Sequence, residues 1–68
     1  MTDTKLLEER IDASGMKPNE LAAAWGVSLP TYYKLKSGES EFTASMIETS
    51  RKIFRLTKAQ RDAIFFAE

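Results

Sequence analysis

The stretch PNELAAAWGVSLPTYYKLKSG, residues 18–38, decides the fold of this 68-residue chain. It holds two short helical patterns joined by a turn, the first of about eight residues from Pro18 to Trp25. Pro18 suits the first position of a helix, because the amide that proline lacks would be unpaired there anyway. Gly26 can adopt the positive φ of a tight turn, and Ser28 offers an oxygen that can cap the next helix. We therefore expect a helix-turn-helix over about residues 18–37.

The residue types within this stretch meet the packing demands of such a corner. Ala22 supplies a small side chain where the two helices touch, and Val27 follows the glycine as an apolar plug. The second helix is expected at Leu29–Ser37. Tyr32 and Leu35 are three residues apart on it, so both can point into the core.

The other side of this second helix is predicted to face outward. At about 100° per residue, the positions most nearly opposite its buried pair are Pro30, Tyr33, Lys34 and Ser37. Leu29 lies at the edge of that face, in the turn that would approach base edges if the helix entered a DNA major groove.

These outward residues have a chemistry that fits DNA. Leu29 and Pro30 can pack on thymine methyl groups, Lys34 can donate to guanine, and Tyr33 can reach a base or a phosphate. Lysines, hydroxyls, amides and free amides at helix ends are the usual phosphate partners. The candidates for phosphate contact are Lys17, Asn19, Thr31, Lys36, Ser37 and Ser40.

Three further helical patterns flank the stretch. The first covers Thr4–Ser14 and can stop at Gly15, and another covers Ala44–Phe54. The last opens with the capping box Thr57-Lys-Ala-Gln and should run to about Ala67. Because no segment alternates with the period of a half-buried strand, we expect an all-α fold of five helices. The residues of the fourth helix expected to face inward are Met46, Ile47, Ser50, Ile53 and Phe54.

Composition limits the chemistry that the chain can perform. It has no cysteine and no histidine, which excludes disulfides, thiolate metal sites and the commonest general base. We therefore expect no enzyme activity, no cofactor and no metal. Ten basic and ten acidic residues give zero net charge, so any DNA-binding face must be basic by distribution. The third helix carries Lys34 and Lys36, whereas the acids Glu8, Glu9 and Asp12 cluster in the first.

Length and hydropathy limit the organisation of the chain. We expect a single domain over residues 1–68, since this length supports one core. No apolar run approaches the roughly 20 residues of a membrane span, and no signal peptide is apparent. A cytoplasmic protein with neither membrane contact nor a small-molecule ligand is expected.

At Leu21-Ala22, Trp25-Gly26-Val27-Ser28 and Tyr32-x-x-Leu35-x-x-Gly38, the chain resembles the phage repressor and Cro (XRE-type) helix-turn-helix family. The resemblance implies a lambda-repressor-like domain, with one helix before the motif and two after it. It also implies a dimeric transcription regulator, a Cro-like repressor of phage or prophage origin, that binds a pseudo-palindromic operator.

The resemblance also implies roles for individual positions. By position, it implies the family's base-reading role for Leu29, Pro30, Tyr33 and Lys34. It implies phosphate contacts for the start of the helix that begins at Pro18 and for the loop after Leu29–Ser37. Two positions depart from the family pattern. Pro18 stands where an amide side chain is common, and Leu29-Pro30 stands where polar readers such as glutamine are common. Methyl contacts and DNA shape would then carry part of the sequence preference.

A protein-interaction module is the alternative of a different class. It would use the same corner to bind another regulator, such as a repressor or a toxin. Zero net charge and the apolar surface of Leu29, Pro30 and Tyr33 favour it. The hypothesis of an enzyme is supported only by carboxylates, and these are not clustered in the sequence.

Other residues leave two readings open. Tyr33 is a DNA contact or a solvated surface tyrosine, whereas Trp25 is expected in the core because it shares a face with Leu21. Phe65 and Phe66 are adjacent, so one of them should be exposed, either at a dimer interface or at a frayed helix end.

A second basic run is read as a solvated helix end rather than a binding site. It comprises Arg51, Lys52, Arg55, Lys58 and Arg61.

Overall fold

The chain forms five helices and no strand. Local capping residues mark where most of these helices begin and end. A computed structural model describes all residues from Met1 to Glu68. The helices are α1 (Thr4–Ser14), α2 (Pro18–Trp25), α3 (Leu29–Ser37), α4 (Ala44–Phe54) and α5 (Lys58–Phe65). The expected all-α class and the bounds of α1 to α4 are confirmed. The expectation that α5 reaches Ala67 is wrong, because Phe66 leaves helical geometry with φ −122° and ψ 33°.

Side-chain oxygens cap four of the five helix starts. Asp3, Ser28, Thr43 and Thr57 each accept a hydrogen bond from a backbone N–H in the first turn that follows. Gln60 accepts from the N–H of Thr57 at 2.9 Å, which completes the predicted capping box. Because these bonds satisfy otherwise unpaired amides, even α3 and α5, with nine and eight residues, have defined beginnings.

The core lies where α1 meets α3, α4 and α5, and where α2 packs on α3 and α4. The Cα radius of gyration is 10.6 Å, close to the roughly 11 Å typical of a folded domain of this length. In α4 the expected inward residues Ile47 and Ser50 are buried, whereas Met46, Ile53 and Phe54 are only half-buried. The buried apolar residues are Leu7, Ile11, Leu21, Ala22, Trp25, Tyr32, Leu35, Ile47, Leu56, Ile64 and Phe65.

A series of aromatic contacts crosses this core. The Trp25 ring stacks on Tyr32 at 5.4 Å between centroids, and Phe42 meets Trp25 edge-on at 4.9 Å. Phe42 in turn meets Phe65 at 5.0 Å. These contacts confirm Trp25 as a core residue and show that the loop between α3 and α4 contributes a ring to the core.

No helix of the protein combines the length and apolar character that crossing a membrane requires.

Candidate functional site

The turn between α2 and α3 determines how α3 is presented. Gly26 adopts φ 73° and ψ 32°, a left-handed conformation that is open to glycine without a steric penalty. The N–H of Val27 then donates to the carbonyl of Ala22 at 3.0 Å, and the Val27 side chain packs against the core. Ser28 caps α3 two residues after the glycine. The chain therefore turns within three residues and starts α3 directly.

One side of α3 is buried and the other is free. Tyr32 and Leu35 are each 1% exposed, as expected for the inward pair. On the opposite side Leu29 is 41% and Tyr33 is 49% exposed. Pro30, Lys34 and Ser37 are also exposed. The four residues expected to contact bases thus share one exposed helix face, which we call the α3 face: Leu29, Pro30, Tyr33 and Lys34.

The six candidates for phosphate contact divide into two groups. Lys17, Asn19 and Ser37 are exposed, and Thr31, Lys36 and Ser40 are half-buried. Two hydroxyls are already engaged within the chain. The Ser28 hydroxyl donates to the Thr31 hydroxyl at 3.0 Å, and the Ser37 hydroxyl donates to the Lys34 carbonyl at 3.1 Å. The donor of Ser37 is therefore engaged within the chain, whereas the Thr31 hydroxyl only accepts and can still donate to a phosphate.

The largest depression on the surface lies along the C-terminal half of α3. It has a volume of about 460 Å³ and brings one residue from α1 and one from the loop after α3 beside four residues of α3. We call it the α1–α3 depression. Its lining residues are Glu8, Tyr33, Lys34, Lys36, Ser37 and Glu39.

The two carboxylates of this depression are residues that the sequence analysis missed as parts of the site. Glu8 belongs to the acidic cluster of α1, which the sequence analysis set apart from the α3 lysines. Packing of α1 on α3 brings Glu8 into the lining of the same depression as Lys34 and Lys36. Glu39 follows Gly38 directly, so its position after α3 was available from the sequence. The local charge around the α3 lysines is therefore balanced rather than basic.

Tyr33 is held against a buried neighbour while remaining half in solvent. Its ring meets Tyr32 edge-on at 5.1 Å between centroids. Burial, aided by Tyr33 and Asp12, raises the pKa of the Tyr32 phenol above its usual 10.0. Tyr33 thus presents an exposed ring on the α3 face beside the ring of Tyr32, and this geometry is compatible with both readings of the residue.

The second basic run is partly neutralised by acids on the same helices. Arg51 pairs with Glu48 at 2.6 Å, and Arg61 pairs with Asp62 at 2.9 Å. These are the only ion pairs of the protein. Lys52, Arg55 and Lys58 remain exposed. Ion pairing thus neutralises two of the five basic side chains of this run and leaves three in solvent.

Only one of the two adjacent phenylalanines at the end of α5 is exposed. Phe65 is 3% exposed and Phe66 is 55% exposed, with the Arg61 guanidinium carbon 6.0 Å from the Phe66 ring centroid. One exposed aromatic ring at this helix end matches the expectation for the pair.

No group of three or more acidic side chains is arranged to hold a metal ion. Comparison of the chain with protein-family models, with curated proteins and with solved structures finds no match. The residues and geometry of the site are therefore the basis for inferring a function.

Proposed function

We propose that this protein is a sequence-specific DNA-binding transcription regulator with a lambda-repressor-like helix-turn-helix over about residues 18–37. It acts in the cytoplasm as a Cro-like repressor, by occupying operator DNA without catalysis. One observation carries the proposal: α3 buries Tyr32 and Leu35 and leaves the whole α3 face free. A helix anchored on one side and free on the other is the element that enters a major groove in such proteins.

Base recognition in this proposal rests on shape and apolar contact as much as on hydrogen bonds. Leu29 and Pro30 lie in the first turn of α3 and can pack on thymine methyl groups. Lys34 lies a turn further along and can donate to the acceptor atoms of guanine. Tyr33 adds a ring edge and a hydroxyl. Sequence preference then favours steps that present methyl groups beside a G·C pair.

Phosphate contacts in this proposal come from polar groups at the ends of α2 and α3, some exposed and some half-buried. Lys17 and Asn19 are exposed at the start of α2. Lys36 and Ser40 lie at the other end of the α3 face. These groups set the register of the protein on the duplex and carry no sequence information themselves.

Selection of binding sites from random duplexes by the purified protein tests this function. The expected product is a short palindrome, because a regulator of this kind binds as a dimer with two half-sites. Absence of any enriched sequence at low salt would contradict the proposal.

Two matched alanine variants then test the α3 face on the selected duplex. Lys34→Ala is expected to cost about 1–3 kcal/mol of binding free energy if Lys34 reads a base. Lys58→Ala removes the same charge from α5, which packs on α1 and α4 and not on α3, and it should leave binding nearly unchanged. Equal losses from both variants would indicate non-specific attraction instead of recognition by α3.

A protein-interaction module is the second candidate, and one observation favours it. Leu29 and Tyr33 are large, exposed and on one face, while Glu8 and Glu39 offset the nearby lysines. Such a surface fits a protein partner, such as another regulator. A salt series separates the two candidates, since DNA affinity falls steeply as salt rises and affinity for an apolar interface does not.

A further inference from the structure

The α1–α3 depression holds two ammonium groups and two carboxylates that do not pair with one another. Lys34, Lys36, Glu8 and Glu39 all line it, yet the ion pairs of the protein lie elsewhere, on α4 and α5. Both carboxylates are on exposed residues. The charges of Glu8 and Glu39 are therefore not neutralised by a salt bridge. They act electrostatically on a ligand that approaches α3.

A duplex approached by the α3 face would meet these carboxylates together with the lysines. Charges within a Debye length of about 8 Å at physiological salt are not fully screened. Each carboxylate near the phosphates repels them and offsets attraction by a lysine. Methyl and ring contacts by Leu29 and Tyr33 carry no net charge, so they are not offset in this way.

We propose that Glu8 and Glu39 restrain the affinity of this protein for DNA, an inference that rests on the proposed function. Their carboxylates lower the electrostatic attraction between the α1–α3 depression and any duplex. Residence on DNA then depends more on the base contacts of the α3 face than on attraction to the backbone. The balance of positive and negative charge in the whole chain is thus repeated locally, at the surface that is proposed to bind DNA.

The test measures the affinity of three charge variants for a selected operator and for a random duplex, by fluorescence anisotropy over a range of salt. Glu8→Gln and Glu39→Gln should each raise affinity for both duplexes by roughly threefold at low salt. The gain should shrink as salt rises, which makes the dependence of affinity on salt steeper than for the unmodified protein.

Glu9→Gln is the matched control. Glu9 is the next residue of the same helix, but it lines a different depression, with Arg10 and Gln60 on the side facing α5. The substitution makes the same change in net charge, so an equal gain for Glu9→Gln would overturn the inference in favour of a general charge effect. A loss of affinity in Glu8→Gln or Glu39→Gln would also overturn it, since the carboxylate would then accept a bond from a base or orient a lysine.

The unmodified protein separates this inference from the proposed function. If it binds the selected duplex and the Glu8 and Glu39 variants bind equally well, only the restraint is refuted. If neither it nor any variant binds a duplex at low salt, both proposals fall together. Circular dichroism of each variant confirms that helix content is unchanged, so that a difference in affinity reports charge.

Discussion

Ser50 is the single buried polar residue of the protein, and it shows how one hydroxyl can join two helices. It accepts a hydrogen bond from the indole N–H of Trp25 at 2.9 Å and donates to the carbonyl of Met46 at 2.8 Å. The indole would otherwise be buried without a partner, which costs free energy. Ser50 thus allows a tryptophan to fill the core between α2 and α4.

Replacing Ser50 by alanine should therefore destabilise the protein. The indole N–H of Trp25 loses its acceptor, and we expect a loss of about 1–3 kcal/mol in the free energy of unfolding. Urea denaturation followed by tryptophan fluorescence measures it. Ser45→Ala, at an exposed position of the same helix, is the control and should change stability far less. Equal stability of the two variants would show that the bond contributes nothing net.

Arg55 is the only residue other than glycine with a positive φ, at 54° with ψ 48°. It ends α4 in the left-handed conformation, where a side chain is strained. Arg55→Gly should raise the free energy of unfolding by about 0.5–1 kcal/mol, as thermal or urea denaturation would show. Arg55→Ala keeps the Cβ atom and the strain, so it should not stabilise. A gain in both variants would attribute the effect to the lost charge instead.

Tyr32 makes the stability of the protein sensitive to alkaline pH. Burial raises its pKa above 10.0, so above that pH the unfolded state ionises before the folded state does. The contribution to stability is complete below pH 10 and is lost as pH rises through the folded pKa. Tyr32→Phe should lose less stability than the unmodified protein between pH 9 and 11, in urea titrations at each pH. Parallel curves for the two proteins would refute this.

At the scale of elements, the end of α3 is constrained more tightly than the end of α2. Both helices stop at a glycine with positive φ, Gly26 at 73° and Gly38 at 84°. A Cβ atom added to Gly26 would meet no atom within 4 Å, whereas one added to Gly38 would lie 3.0 Å from Cγ2 of Thr4 on α1. Gly38 therefore permits both the end of α3 and its close approach to α1.

Gly38→Ala should consequently cost more stability than Gly26→Ala. Each variant carries the left-handed penalty of about 1 kcal/mol, and Gly38→Ala adds a contact that Thr4 must relieve. The comparison uses thermal unfolding of the two variants beside the unmodified protein. A double variant with Thr4→Ser, which removes the methyl group, should recover the additional loss. No recovery would mean that the contact is relieved by other movements.

At the scale of the whole molecule, the exposed ring of Phe66 is the feature that bears on assembly. We expect the proposed dimer to cover it, since 55% exposure of a phenylalanine leaves apolar area for a partner surface. Phe66→Ser should then weaken self-association in sedimentation experiments at micromolar concentration without unfolding the chain. A protein that stays monomeric both alone and on operator DNA would exclude a dimer and leave the ring as an exposed helix end.

Much of the fold was predictable from the sequence because its signals are local. Caps, glycine stops and apolar spacing act within about four residues, and these signals gave the bounds of α1 to α4 and the buried pair of α3. The end of α5 was not predictable in this way. Its last apolar residues continue the helical pattern, and only the backbone at Phe66 shows where the helix stops.

The composition of the α3 face was also predictable, since it follows from Tyr32, Leu35 and the period of a helix. The charged residues that surround the α3 face were not predictable in this way. Glu8 reaches the α1–α3 depression because α1 packs on α3, and Phe42 enters the core because its loop folds back towards Trp25. Such neighbours are distant in sequence, so only the packing of all five helices decides them. The sequence alone thus determined which residues α3 exposes. The tertiary structure decided which charged residues of other elements lie next to them.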